Sequence, residues 1–323
     1  MSKDCQKPLV SVIVPARNAE RYIAETIDSV IRQSWTHFEL LVVDNASTDA
    51  TACVVHKHED ERVRVISCER PGAAAARNVG MRAARGDFIQ FLDADDILGR
   101  NKLELQLKAL QDWGTALAIA SCPWVRFNHD LAEACVHAEA VWPIADPLDW
   151  IVCSLTGGGM MQTGGWLVHR QLVEAAGFWN EDLSLHDDGE YFTRMLLQAE
   201  RLVFVPDARV YYRTVPGSLS RQRDRAAIES AFKVCQARDT QLLAAEDSSR
   251  VRAALATQYA QFAYEFSQSA PDLAASALSR MKALGKPVNC VGGYAFRWVA
   301  AVVGFARSLA LRQAVAGFRD APG

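Results

Sequence analysis

The sequence predicts an α/β fold: a mostly parallel sheet flanked by helices, with a helical C-terminal region. Three observations carry this. Short, nearly continuous apolar runs alternate with helical spacing through the first half of the chain, as buried parallel strands and their crossovers do. Polar residues end the first, second and fourth of those runs, and parallel strands bring their exits to one edge. From about Asp224 strand-like runs stop, and Ala, Leu, Gln, Glu and Arg at helical spacing take over.

In order, Val10–Val14 reads as a first strand, ended by Pro15-Ala16-Arg17-Asn18. Asn18 is placed to cap the next helix, whose positive end Glu20 favours and whose apolar face is Ile23, Ile27, Val30 and Ile31. Phe38–Val43 is a second strand, closed by Asp44-Asn45-Ala46-Ser47-Thr48-Asp49; Ser47 or Thr48 is the expected cap of a helix running to about His58. Val63–Ile66 is a third strand, and Ala73–Gly80 reads as helical. Phe88, Ile89, Phe91 and Leu92 make a buried strand ending in Asp93-Ala94-Asp95-Asp96. Carboxylates at that place need a counter-ion or a ligand, and hard oxygen donors suit Mg²⁺ or Mn²⁺ with a phosphate. A solvated turn or helix cap is the competing reading of the same run. Leu103, Leu105, Leu107 and Leu110 mark the helix that follows.

Later elements are Thr115–Ser121, an irregular stretch from Pro123 to Pro147, and the glycine-dense Gly157–Gly165. His129 and His137 read as loop residues, and His56 and His58 as a solvated helix face. The glycine-dense segment reads either as a flexible loop or as backbone lying beside a ligand. Asp187 and Asp188 open a helix carrying Tyr191, Phe192, Met195 and Leu196; Arg194 is spaced to orient Asp188 or Glu190. Arg201–Pro206 and Ala208–Arg213 read as closing strands, then Val215–Arg221 as a loop; Arg213 before it and Arg221 at its end read either as phosphate contacts or as exposed arginines with no role.

Composition bounds the function. The chain has 323 residues, 50% hydrophobic and 23% charged, with formal net charge -3. That is ample for a core and gives no electrostatic case for nucleic acid. The eight cysteines show no CxxC and read as reduced thiols. No apolar run has the length of a transmembrane helix, and Met1–Pro8 lacks the apolar core of a signal peptide. The expected location is therefore cytoplasmic.

Four motifs in order over about residues 9–110 then resemble one family. Val-Ser-Val-Ile-Val-Pro-Ala-Arg-Asn, Leu-Val-Val-Asp-Asn-Ala-Ser-Thr-Asp, Pro-Gly-Ala-Ala-Ala-Ala-Arg-Asn-Val-Gly and Gly-Asp-Phe-Ile-Gln-Phe-Leu-Asp-Ala-Asp-Asp are similar to family 2 glycosyltransferases of the GT-A fold. The resemblance implies an inverting transferase that moves a sugar from a nucleotide-diphosphate sugar to an acceptor hydroxyl in surface polysaccharide, lipopolysaccharide or other glycoconjugate synthesis. Uridine is the nucleoside it implies. Pro15 and Asn18 would line the nucleoside pocket, Asp44 accept from the base, Arg77 meet the nucleotide and Asp93 approach the ribose. Asp95 would hold Mg²⁺ or Mn²⁺, and Asp188 would be the catalytic base. Asn45 departs from the Asp frequent in the family, and Asp187 from its Glu.

A catalytically inactive nucleotide-sugar-binding or scaffold protein is the alternative. A nucleotidyltransferase or a dinucleotide-binding dehydrogenase would want glycine in the first strand-to-helix turn, where none stands. Residues 1–223 are read as the transferase domain and 224–323 as a helical region. The partners implied are the nucleotide-sugar donor and a saccharide or lipid-linked acceptor, with no nucleic acid. The apolar stretch 292–312, broken by Arg297, Arg307 and Arg312, reads as a helix packed on its neighbours, on a second copy, or on the inner face of the membrane.

Overall fold

The computed structural model describes residues 7–128, 130–134, 136–215, 222–288, 291–293, 296, 304, 305 and 307–309. The first half alternates as expected: β1 (Val10–Ala16), α1 (Ile23–Ile31), β2 (Phe38–Asp44), α2 (Thr51–His56), β3 (Val63–Ser67), α3 (Ala73–Ala83), β4 (Phe88–Phe91), β5 (Ile97–Leu98) and α4 (Lys102–Trp113). Then come β6 (Ala118–Ser121), β7 (Trp124–Phe127), α5 (Pro147–Leu155), β8 (Leu167–His169), α6 (Arg170–Ala176), α7 (Asp187–Gln198), β9 (Arg201–Phe204) and β10 (Val210–Arg213). Three long helices follow: α8 (Arg225–Ala245), α9 (Ser249–Phe266) and α10 (Pro271–Leu284).

Seven strands form one sheet in the order β3-β2-β1-β4-β8-β6-β9. Only β8 runs against its neighbours; the other pairs are parallel. Both faces are covered, which is why β1 and β2 are apolar at nearly every position. Val12, Val14, Leu40 and Val42 point to the face of α1 and α4. Ile13, Leu41, Val43, Ile89 and Phe91 point to the other face, in one continuous core with Trp179 and Tyr191 and with Tyr259 and Phe262 of α9. The second closing strand differs from expectation. β10 leaves the main sheet and joins β5 and β7 in a small sheet above the strand exits.

Register aligns the exits. Ala16 pairs with Asp44, and Asp44 with Ser67. The Leu92 amide donates to the Ile13 carbonyl, which delivers Asp93 to the same edge. On the sheet face that carries Ile13, α3 lies so close to β1 that a Cβ at Gly80 would meet Ile13 Cγ2 at 2.3 Å.

Capping departs from the sequence reading. α1 starts at Ile23 without a side-chain cap, and so does α2 at Thr51. Asn18, at φ +50°, instead accepts the Thr48 amide at 2.8 Å, while its own amide goes to Ser47. Glu20 accepts the Ala50 amide beside the start of α2. The turn residues satisfy the neighbouring loop rather than their own helix, because adjacent parallel exits stand closer than the delayed helix starts. His58 also differs from a solvated residue: its ring lies 3.5 Å from Asp28. His56 and His137 are exposed as expected, and His129 lies outside the described residues.

The C-terminal helices match the sequence reading closely. Asp224 and Ser248 cap α8 and α9, and Pro271 opens α10. Stretch 291–317 is mostly outside the described residues; within it Phe296 packs edge-on against Tyr264 and Leu309 is buried. Among the described residues no helix is long and apolar enough to cross a membrane, and their five cysteines are free thiols.

Gly80→Ala tests the α3–β1 contact. It should cost about 1–3 kcal/mol of stability, as overpacking does, read as a lower urea midpoint with an unchanged slope.

Candidate active site

The site is built where β1, β2 and β4 end and α7 begins. Loops 17–20 and 44–51 are joined by Asn18–Thr48, by the Ala19 amide to Thr51 Oγ1 at 2.8 Å, and by the Glu20 amide to Asp49 at 3.1 Å. Asn45 is buried and ties in the third exit. Its amide nitrogen donates to the Cys68 and Arg70 carbonyls, and its oxygen accepts from the Gly72 amide. An aspartate there could not donate to two carbonyls, which explains Asn at this position.

The acidic run separates into distinct jobs. Asp96 is fully buried, accepting from the Arg213 amide and from Gln162. Burial, with Asp95 and Asp93 beside it, pushes its carboxyl well up. Asp93 accepts from Arg77 at 2.9 Å and, at 3.4 Å, from Gln162. Asp95 differs. Among the described residues no side chain donates to its carboxylate, and burial together with Asp93 raises it to about 6. Arg213 is not a loose phosphate contact. It is buried, donating to the Asp95 carbonyl and to Glu25, with its guanidinium 4.5 Å from the Phe127 ring centre. Arg221 lies outside the described residues.

Arg77 joins this cluster to α7. One amine of its guanidinium donates to Asp93 and the other to Asp187, each at 2.9 Å, and the plane lies 4.3 Å from the Trp179 ring centre. It is 5% exposed. Asp187 and Asp93 hold its charge against burial. Asp187 itself is pushed up to about 6: its burial outweighs Arg77, and Asp188 adds to it. Asp188 is partly open and, among the described residues, accepts only from the Gly189 amide just after it. Arg194 serves Glu190 with two bonds, at 2.7 and 3.0 Å, and not Asp188.

These groups line one cavity of about 1080 Å³. Pro15, Asn18, Arg77, Asp93, Asp95 and Asp188 all reach it. Asp44 is not among its lining residues; Asn45 takes that place, and the Asp44 carboxylate holds the Ser47 amide at 3.2 Å. The glycine-dense segment does come to the cavity, but its polar contact with the acidic edge is a side chain, Gln162. Beneath it the buried Lys102 donates to Gln90 and Gln106, which in turn donate to the Gly164 and Gly165 carbonyls. Burial lowers Lys102 to about 8. Sequence reading missed Gln162 and Lys102; a lone Gln inside the glycines was the only local signal.

Among the described residues no three His, Cys, Asp or Glu side chains converge as a complete metal cage. The donor chemistry still fits a hard cation at Asp95. Its carboxylate is poorly compensated and faces the cavity, and a divalent ion that takes most ligands from water and phosphate needs one or two carboxylates.

Arg77→Met would leave the partly buried Asp93 and Asp187 without their shared cation. A loss of about 3–5 kcal/mol is expected, as for a broken buried pair, measured by chemical unfolding. A smaller loss in Arg77→Met,Asp187→Asn would show that the uncompensated charge is the cause.

The family model described as Glycosyl transferase family 2 matches residues 11–136. The putative teichuronic acid biosynthesis glycosyltransferase TuaG of Bacillus subtilis (strain 168) is 44% identical over 135 residues, 41% of this chain and 54% of that protein. The UDP-Glc:alpha-D-GlcNAc-diphosphoundecaprenol beta-1,3-glucosyltransferase WfgD of Escherichia coli is 45% identical over 103 residues, 32% of this chain and 41% of that protein. The chain thus spans about half the length of these relatives. The crystal structure of S. aureus TarS 1-349 in complex with UDP aligns over 94% of this chain and 82% of that one, with a TM-score of 0.62 at 20% identity, a likeness of fold. Residues 11–136 thus match glycosyl transferase family 2, and the chain has a GT-A fold.

Proposed function

We propose that the protein is an inverting glycosyltransferase that moves a sugar from a nucleotide-diphosphate sugar, a UDP-sugar, to an acceptor hydroxyl. One observation carries the reading: Arg77 fixes Asp93 and Asp187 to one another, so that the open carboxylates of Asp95 and Asp188 share one cavity. The family match over residues 11–136 and the UDP in TarS support the donor class.

In this reading Pro15 and Asn18 shape the nucleoside pocket. Asp44 accepts from the base at its rim, and Asp93 accepts from the ribose. Arg77 acts on the nucleotide side by orienting Asp93. A Mg²⁺ or Mn²⁺ held by Asp95 would neutralise charge on the departing diphosphate. Asp188 takes the proton of the acceptor hydroxyl as its oxygen attacks the anomeric carbon. The bond from that carbon to the diphosphate oxygen breaks on the opposite side, and the centre inverts. Helices in 224–323 complete the acceptor side, where a saccharide or lipid-linked acceptor in surface-glycan synthesis would bind at the cytoplasmic face. WfgD is named for such an acceptor, an alpha-D-GlcNAc-diphosphoundecaprenol.

Two substitutions separate the roles. Asp188→Asn should lower turnover by roughly 10²–10⁴-fold with donor binding nearly unchanged. Asp95→Ala should abolish the Mn²⁺-dependent part of UDP binding in calorimetry. Full turnover by Asp188→Asn would remove Asp188 as the base. Nucleotide binding without any turnover in wild type, across acceptors, would favour the binding-protein alternative.

A further inference from the structure

Past Asp188 the cavity continues away from the sheet, into the space between α5, α7, α8 and α9. Its wall there is largely apolar, with Trp150, Ile151, Phe192, Leu196, Phe262 and Phe266. Arg238 of α8 stands in this wall. Its Nε donates to the Gly189 carbonyl at 2.9 Å and to Thr193 Oγ1 at 3.1 Å; its Nη1 makes a long 3.5 Å contact with Gln258. Its Nη2 has no acceptor among the described residues, yet it is not sealed from solvent. No carboxylate oxygen of the described residues lies within 4.0 Å of the guanidinium; Asp188 and Glu190 act on it only from further off, and Glu265, also in this wall, is paired with Arg223. Nη2 rests over Gly189, where an added Cβ would meet it at 2.3 Å, so the cation sits against the backbone next to Asp188.

A cation held in an apolar wall with donors to spare is costly unless an anion completes it. Arg77, buried on the other side of the same turn, shows the contrast, because both its amines are taken by carboxylates. The free donors of Arg238 face the cavity that the acceptor must occupy to reach Asp188. An anionic acceptor there would otherwise be repelled by Asp188, and Arg238 offsets that repulsion.

We propose that this arm of the cavity is the acceptor subsite, and that Arg238 receives an anionic group of the acceptor, a phosphate or a carboxylate, beside Asp188. The assignment rests on the glycosyl-transfer reading above. The apolar wall takes the uncharged remainder of the acceptor.

The test uses the full chain saturated with UDP and Mn²⁺, titrated calorimetrically with octyl phosphate, octanoate and octyl β-glucoside. At least one anionic probe should bind about ten-fold more tightly than the glucoside, the scale of a charge-assisted bond. Arg238→Gln should erase that preference and leave the glucoside within about two-fold, while Arg238→Lys keeps part of it. Preference for octyl phosphate alone assigns a phosphate-bearing acceptor; preference for octanoate, or for both, assigns a carboxylate as competent. The proposal is overturned if neither anion is preferred, or if Arg238→Gln weakens all three probes alike, as loss of a purely structural tether to Gly189 would. UDP binding in the same cell keeps the two readings apart. UDP bound without anion preference removes the subsite alone; no UDP binding removes the transfer reading and the acceptor assignment with it.

Discussion

The bidentate hold of Arg77 on Asp93 and Asp187 is the constraint on which the site depends. The two carboxylates belong to segments far apart in sequence, one at the exit of β4 and one at the start of α7. Without a cation between them the two partly buried carboxylates would repel. With Arg77 present, α7 is docked at a fixed distance from the sheet edge. Trp179 and Tyr191, stacked 4.0 Å apart, close the apolar side of this joint. Asn78 closes the polar side, exchanging hydrogen bonds with the Trp179 backbone. The joint is therefore both charged and packed, which fits the proposed reading in which Asp95 and Asp188 are left open while their neighbours are fixed.

The second support lies beneath the acidic edge. Gln162 reaches Asp93 and Asp96, its oxygen takes the Gly164 amide, and the Lys102–Gln90–Gln106 group holds the carbonyls of the same turn. A buried lysine answered by two amides rather than by a carboxylate adds donors without adding a second acidic group under Asp95. That choice keeps the negative charge of the edge on the cavity side, where a cation or a ligand can reach it.

Much of the fold was legible because it depends on local pattern. Continuous apolar runs marked β1, β2 and β4, and helical spacing from about Asp224 marked the region of α8, α9 and α10. The exits were legible as a set, since parallel strands leave no other place for Asp93 and Asp95. What could not be read was pairing across distance. Asn18 looked like a helix cap and Glu20 like a charge favouring the same helix's positive end, but the nearest unsatisfied amides belonged to the neighbouring loop. Arg213 looked like a surface cation; only the placement of β10 between β5 and β7 buries it against Asp95 and Glu25. Arg77 carried a motif but not its partners, and Gln162 carried none.

Arg238 shows the limit most clearly. Nothing in the composition of α8 distinguishes it from the other arginines of a helical, charged region, and no motif surrounds it. Its position becomes informative only when α8 is packed on α7, because Gly189 then admits the guanidinium beside the residue proposed as base. The shared motifs end near residue 110, and the matched family segment ends at 136, so both stop short of α7, α8 and α9. The proposed donor side of the cavity is built mainly by the segment that resembles the family, and the other side by helices beyond it. In the proposed reading, a division of that kind lets one sheet edge keep a nucleotide while the helices set what stands opposite it. It also explains why motif reading reached a donor class and left the acceptor to the geometry.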